Sequence, residues 1–124
     1  MIYGIGLDIL STARLYDPQG KYDDSFHRKT FTGKEYKEGI SRTDPAVYFC
    51  ERFAVKEAVL KSLNIGSNEF RFIDIETLND DSGKPYVILN GHAKKHCDEI
   101  GIKRLHVSLS NDGGFVAAFV ICEI

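Results

Sequence analysis

The residues able to do chemistry in this chain lie in two short stretches. "ERFAVKEAVLKSL", residues 51 to 63, sets Glu57 and Lys61 into an otherwise apolar helical run, and "MIYGIGLDIL" carries one carboxylate, Asp8, behind Gly4 and Gly6. On a helix, residues four apart lie about 40° from each other around the axis. For Glu57 and Lys61 that spacing has a plain reading, a surface ion pair worth about 0.2–0.5 kcal/mol. It has a chemical reading if a second acid joins them, because Mg2+ is held by one or two carboxylates together with substrate phosphates and water. Asp8 is the candidate for that second acid. Arg52 and Lys56 form a separate, basic sector of the same helix.

These groups must be positioned by a strand and a helix. In the first strand, residues 2 to 9, the two-residue period puts Ile5, Leu7 and Ile9 on one face and Gly4, Gly6 and Asp8 on the other. The second face is nearly bare, so a packed helix or a phosphate-bearing ligand can come close to it. Both readings stay open at this level. "GIGLD" lacks the third glycine of a dinucleotide-binding fingerprint, which removes that class. Asp44-Pro45 is a helix start, a side-chain cap followed by a preorganised first residue, and predicts a helix from Pro45 to about Asn64 with Gly66 available to reverse the chain. The apolar residues of this helix spread around its whole circumference, which predicts burial on more than one side.

Other elements follow from period and turn chemistry. A short helix is expected from Ser11, a break at "DPQG" (17 to 20), and one or two helical pieces around Phe31 to Gly39. "FRFIDIETL" (70 to 78), the turn "NDDSGKP" and "YVILN" predict a hairpin. "GHAKKHCDEIG" predicts a helix of about three turns, and "RLHVSLS", "NDGG" and "FVAAFVICEI" a second hairpin. The expected class is α+β: a mostly antiparallel sheet packed against a long central helix, in a single domain over residues 1–124.

Composition narrows the functional classes. At 124 residues, 43% hydrophobic and 27% charged, with a net charge of −2, the chain has the make-up of a soluble globular protein and no basic field for nucleic acid. No run reaches membrane-spanning length and the N-terminus lacks the pattern of a signal peptide, so the expected compartment is the cytoplasm. Cys50, Cys97 and Cys122 are widely spaced and read as reduced, buried thiols. His92 and His96 can share a helical face beside Cys97, but "HAKKH" lacks the glutamate of the metalloprotease motif.

Taken together, "MIYGIGLDIL" and "RFAVKEAVLKSL", about fifty residues apart, resemble the two signature stretches of the small holo-acyl-carrier-protein synthases, members of the 4'-phosphopantetheinyl transferase superfamily. "FIDIE", "SGKPYV" and "HVSLS" followed by an alanine-containing strand extend the resemblance over essentially the whole chain. It implies transfer of the phosphopantetheine arm of coenzyme A to a serine of an apo acyl carrier protein, with release of 3',5'-ADP. It further implies Mg2+ held by Asp8 and Glu57, with Glu57 and Lys61 catalytic. Arg52 and Lys56 would meet coenzyme A phosphates, the turn with Gly83, Lys84 and Pro85 its nucleotide end, and Arg14 the carrier. The family's homotrimer, with active sites between neighbouring chains, is implied in the same way.

The chain departs from the family pattern in three places. Asn111 stands where the family commonly has a histidine, and asparagine carries no positive charge. Asn64 stands where a glycine is expected after the helix. Residues 11 to 39 hold six Lys or Arg against five Asp or Glu, a nearly balanced patch where the family usually presents a basic one. A coenzyme A- or nucleotide-binding homologue with weak or lost transfer is the alternative that Asn111 motivates. A purely structural assembly protein is the third reading, and the retention of Asp8, Glu57 and Lys61 argues against it.

Overall fold

Gly4 and Gly6 set the distance between the first strand and the long helix. A Cβ built on Gly4 would lie 2.0 Å from the Ser62 carbonyl oxygen, and one on Gly6 would lie 1.9 Å from that of Ala58. The strand β1 (Ile2–Ser11) therefore lies backbone to backbone against α4 (Pro45–Ser62), an approach that only glycine permits. Of the two readings of the bare face, the packed helix is what fills it.

This computed structural model describes residues 1–15, 24–66 and 68–124. After β1 come α1 (Thr12–Leu15), α2 (Asp24–Thr30), α3 (Gly33–Ile40) and α4. A 3-10 turn (Phe72–Asp74) then leads into β2 (Ile75–Asn79), β3 (Pro85–Leu89), α5 (Gly91–Ile100), β4 (Arg104–Asp112) and β5 (Phe115–Glu123). One antiparallel sheet has the order β1-β5-β4, and β2-β3 form a second, two-stranded sheet. The α+β expectation with antiparallel sheet around a long helix holds. The break expected at "DPQG" lies outside the described residues.

α4 begins as its sequence dictates: Asp44 Oδ1 accepts from the Val47 N–H at 3.3 Å, with Pro45 next. Its buried residues, among them Phe49, Cys50, Ala54, Val55, Ala58, Val59 and Leu60, point to several sides at once. They pack on the inner face of β5, where Val116, Ala118, Val120 and Cys122 alternate inward. Each buried Val or Leu contributes about 1.5–3 kcal/mol, so this two-sided burial makes α4 the mast of the fold. Beyond the helix the left-handed residue is Asn64, at φ 56°, and not Gly66, which has an ordinary φ. Asparagine tolerates that region better than most residues, so the turn survives the missing glycine.

The stretch expected as a strand over 70 to 78 is shorter and shifted, with strand geometry only over Ile75–Asn79. Residues 72–74 coil instead because the Lys56 ammonium draws in the carbonyls of Phe72 and Ile75, while Asp74 N–H closes onto Arg71 O at 3.0 Å. On the far face of the three-stranded sheet, Ile5, Leu7 and Ile9 stay 60–69% exposed, with Phe115 and Phe119 beside them.

Candidate active site

Asp8 continues the glycine face of β1, so the strand that lies on α4 delivers a carboxylate beside that helix. Lys61, on α4, reaches across to β1: its Nζ donates to the Leu7 carbonyl at 2.9 Å and to Asp8 Oδ1 at 3.1 Å. The partner of Lys61 is thus Asp8, and the simple Glu57–Lys61 surface pair is not what forms. Glu57 is half-buried on the neighbouring turn. Burial, and then the nearby Asp8 carboxylate, push its proton affinity above the ordinary glutamate range, while Lys61 pulls it back. Two carboxylates and an ammonium therefore share one site.

This donor set fits Mg2+. The ligands are hard oxygens, and a divalent cation offsets both the burial of Glu57 and its repulsion by Asp8. No group of three or more His, Cys, Asp or Glu able to hold a metal lies among the described residues. A cation held by Asp8 and Glu57 would complete its shell with phosphate and water.

A second cluster lies at the opposite edge of the sheet. A cavity of about 400 Å³ is lined by Arg52 and Glu51 of α4, by Asn79, Gly83, Lys84 and Pro85 of the hairpin, and by Ser108 of β4. Four of the sequence-predicted coenzyme A residues, Arg52, Gly83, Lys84 and Pro85, meet here. Arg52 is 2% exposed. Its guanidinium lies 4.3 Å from the centroid of the Tyr48 ring and donates through Nη2 to Asn79 Oδ1. Its Nε and Nη1 are buried with no hydrogen-bond partner among the described residues, an arrangement that calls for an acceptor. The turn itself is braced by Asp80, whose Oδ1 accepts from Ser82 N, Ser82 Oγ and Lys84 N at 2.6–3.0 Å. Gly83, at φ 87°, supplies the left-handed residue.

Lys56 does not belong to this cavity, which corrects the expectation that it meets coenzyme A. It is 0% exposed and its three ammonium protons go to Glu35 Oε1 at 2.8 Å, Phe72 O at 3.0 Å and Ile75 O. The helical wheel grouped it with Arg52 correctly, but that sector faces the hairpin, so Lys56 is walled in. Its partner Glu35 was missed from sequence, although "TGKE" at 32 to 35 is a capping box and marks Glu35 as a structured residue. Asn79 and Tyr48, the partners of Arg52, have no local signal.

The remaining predicted positions scatter. Arg14 is exposed on α1, immediately beyond the Asp8 end of β1. Asn111, near the end of β4, donates to Glu51 Oε2 at 3.4 Å. His96 packs against the Phe70 ring, and Cys50, Cys97 and Cys122 are free and buried. Among the described residues no helix is long and apolar enough to cross a membrane.

The comparisons with known proteins bear on the family and the fold. Residues 4–120 match the model of the 4'-phosphopantetheinyl transferase superfamily. The holo-[acyl-carrier-protein] synthase of Halothermothrix orenii is 38% identical over 123 residues, 99% of this chain and 98% of that protein. The crystal structure of the Neisseria meningitidis synthase superposes with a TM-score of 0.89 at 34% identity, over 100% of both chains. That of the Helicobacter pylori synthase, a complex with coenzyme A, does so with a TM-score of 0.82 at 28% identity, over 96% of this chain and 99% of that one. The chain belongs to the 4'-phosphopantetheinyl transferase superfamily, within its holo-[acyl-carrier-protein] synthases, enzymes that transfer phosphopantetheine from coenzyme A to an acyl carrier protein.

Proposed function

We propose that this chain moves the 4'-phosphopantetheine arm of coenzyme A onto a serine of an apo acyl carrier protein, with Mg2+ held by Asp8 and Glu57 and 3',5'-ADP released. The observation that carries this reading is the meeting of Asp8, Glu57 and Lys61 where β1 lies on α4. The bound cation would supply charge neutralisation at the diphosphate. Lys61, half exposed and fixed by the Leu7 carbonyl, faces the negative charge that grows on the leaving oxygen. The serine Oγ–P bond forms as the bond from phosphorus to 3',5'-ADP breaks. Glu57, beside Asp8 and Lys61, is placed to take the serine proton through water.

The nucleotide end belongs in the cavity lined by Arg52 and the 83–85 turn, where the unpartnered Arg52 nitrogens suit a phosphate. Asp8 stands on one edge strand of the β1-β5-β4 sheet, whereas this cavity is built on the other. Pairing the Asp8 edge of one copy with the Arg52 edge of its neighbour is the arrangement a homotrimer provides. The uncovered Ile5, Leu7, Ile9 and Phe119 supply an apolar face for such packing. Arg14, beyond Asp8, is the cation for the carrier's acidic helix.

Mass spectrometry of an apo carrier incubated with the protein, coenzyme A and Mg2+ tests the reading. One phosphopantetheine arm should be added per carrier. Coenzyme A binding with no mass gain supports the second reading, a binding homologue, which is favoured by Asn111 being a neutral amide tied to Glu51.

A further inference from the structure

The hairpin that carries the 83–85 turn is gripped by charge. Alternate residues of a strand turn their backbone groups to the same edge, and β2 has β3 on only one side. On its other edge, Ile75 O accepts from Lys56 Nζ, Thr77 N–H donates to Glu35 Oε2 at 3.0 Å, and the Asn79 side chain accepts from Arg52. The row then continues into the turn, because Asn79 Nδ2 donates to Gly83 O at 2.8 Å. Lys56 and Arg52, four residues apart on α4, thus hold two ends of one strand, and Glu35 of α3 fills the gap between them. Lys56 and Glu35 are both fully buried, and Glu35 also accepts from its own cap, Thr32 N–H, at 2.9 Å. A strand edge that would otherwise expose bare donors and acceptors is closed by an ion pair.

We infer that Lys56 and Glu35 are positioning residues for the nucleotide end of the coenzyme A site: by closing the free edge of β2 they fix the register of Gly83, Lys84 and Pro85 against Arg52. Neither touches the ligand. The inference rests on the proposed function, since it assumes that this cavity takes 3',5'-ADP. It separates Lys56 from its neighbour Glu57, which lies about 100° further round the helix, beside Asp8 and the chemical step.

Titration calorimetry with 3',5'-ADP and steady-state kinetics on Lys56→Met, Glu35→Gln and Asn79→Ala test it. Each variant should weaken 3',5'-ADP and raise KM for coenzyme A by about tenfold, the scale of one lost charge-assisted hydrogen bond. kcat should change little, because binding common to ground and transition state is what is lost. Asn79 is exposed, so that variant keeps the fold if the buried ones do not. In the unaltered protein, saturating 3',5'-ADP should slow hydrogen exchange at the Thr77 amide, since linkage between grip and ligand is reciprocal. Lower melting temperatures with unchanged 3',5'-ADP affinity, or a Thr77 amide indifferent to the ligand, overturn the inference and leave a merely structural pair. A fall in kcat at constant affinity overturns it in favour of an effect on Glu57. Failure of the unaltered protein to bind 3',5'-ADP at all counts against the proposed function itself.

Discussion

The Asp8 edge and the Arg52 edge of the molecule each gather charged side chains, by opposite means. At the Asp8 edge the backbones of β1 and α4 touch, with Gly6 so close that an added Cβ would sit 1.9 Å from the Ala58 carbonyl oxygen, and the three charged groups project from that contact. At the Arg52 edge the hairpin stands off from α4 and is held by long side chains: Lys56 and Glu35 spend their charges on the scaffold, while Arg52 gives Nη2 to Asn79 and keeps Nε and Nη1 unpartnered among the described residues. A site built on backbone contact tolerates no added atom, whereas one built on side-chain reach tolerates substitution in proportion to the hydrogen bonds lost.

The sharpest test of that contrast is Gly6→Ala. One methyl group should cost several kcal/mol or abolish folding, because β1 must leave α4 or shift in register. Asn79→Ala, at the other edge, should leave the melting temperature within a few degrees. Thermal unfolding of the two side by side checks this, and comparable small losses would break the comparison.

Next in size is the loss of chemistry without loss of fold. Asp8→Asn and Glu57→Gln should each lower transfer by about a hundredfold or more while circular dichroism stays unchanged. Full activity in either would remove the metal assignment. Lys61→Met should lower kcat by about a hundredfold with a smaller change in KM for coenzyme A, since charge that appears only in the transition state acts on rate. An effect confined to KM would move Lys61 to a binding role.

The smallest effect is one of stability and pH. Glu57 has a folded-state proton affinity raised above its unfolded value, by burial and then by Asp8. Its contribution to folding is therefore fully present below the unfolded pKa and is lost as pH rises through the raised folded one. Metal-free Glu57→Gln should consequently melt at or slightly above the unaltered protein at neutral pH. Stabilisation of the unaltered protein by Mg2+ should grow as pH rises through the same range. Melting curves across pH, with and without Mg2+, read both, and a Mg2+ effect independent of pH would show that the cation binds away from Glu57.

The Asp8 edge was readable because its determinants are local. Two glycines in a two-residue period and an acid on the same face are enough to say which side of β1 can be approached, and i, i+4 spacing puts Glu57 beside Lys61. Even so, sequence left open whether helix or ligand filled the bare face, and spacing favoured a pairing along α4 over the observed one across to Asp8. The Arg52 edge was readable only through resemblance. Whether a buried-side lysine such as Lys56 faces a ligand or a partner depends on Glu35, twenty-one residues away in sequence, as the separation of the Lys56–Glu35 hydrogen bond records. The alternation that suggested a strand from residue 70 was overridden by the same ammonium, which bends residues 72–74 into a 3-10 turn.

The pairing of the first strand with the last has a consequence for how the chain comes into being. Gly4 lies opposite Cys122 and Asp8 opposite Ala118, so the strand that bears the carboxylate finds its sheet partner more than a hundred residues further along the chain. At ribosomal rates of about 5–20 residues per second, β1 waits for several seconds with its pairing edge unfilled. Contacts of such long sequence separation form slowly. Asp8 therefore precedes its sheet partner by a long stretch of chain, and that pairing is among the last parts of the structure to form.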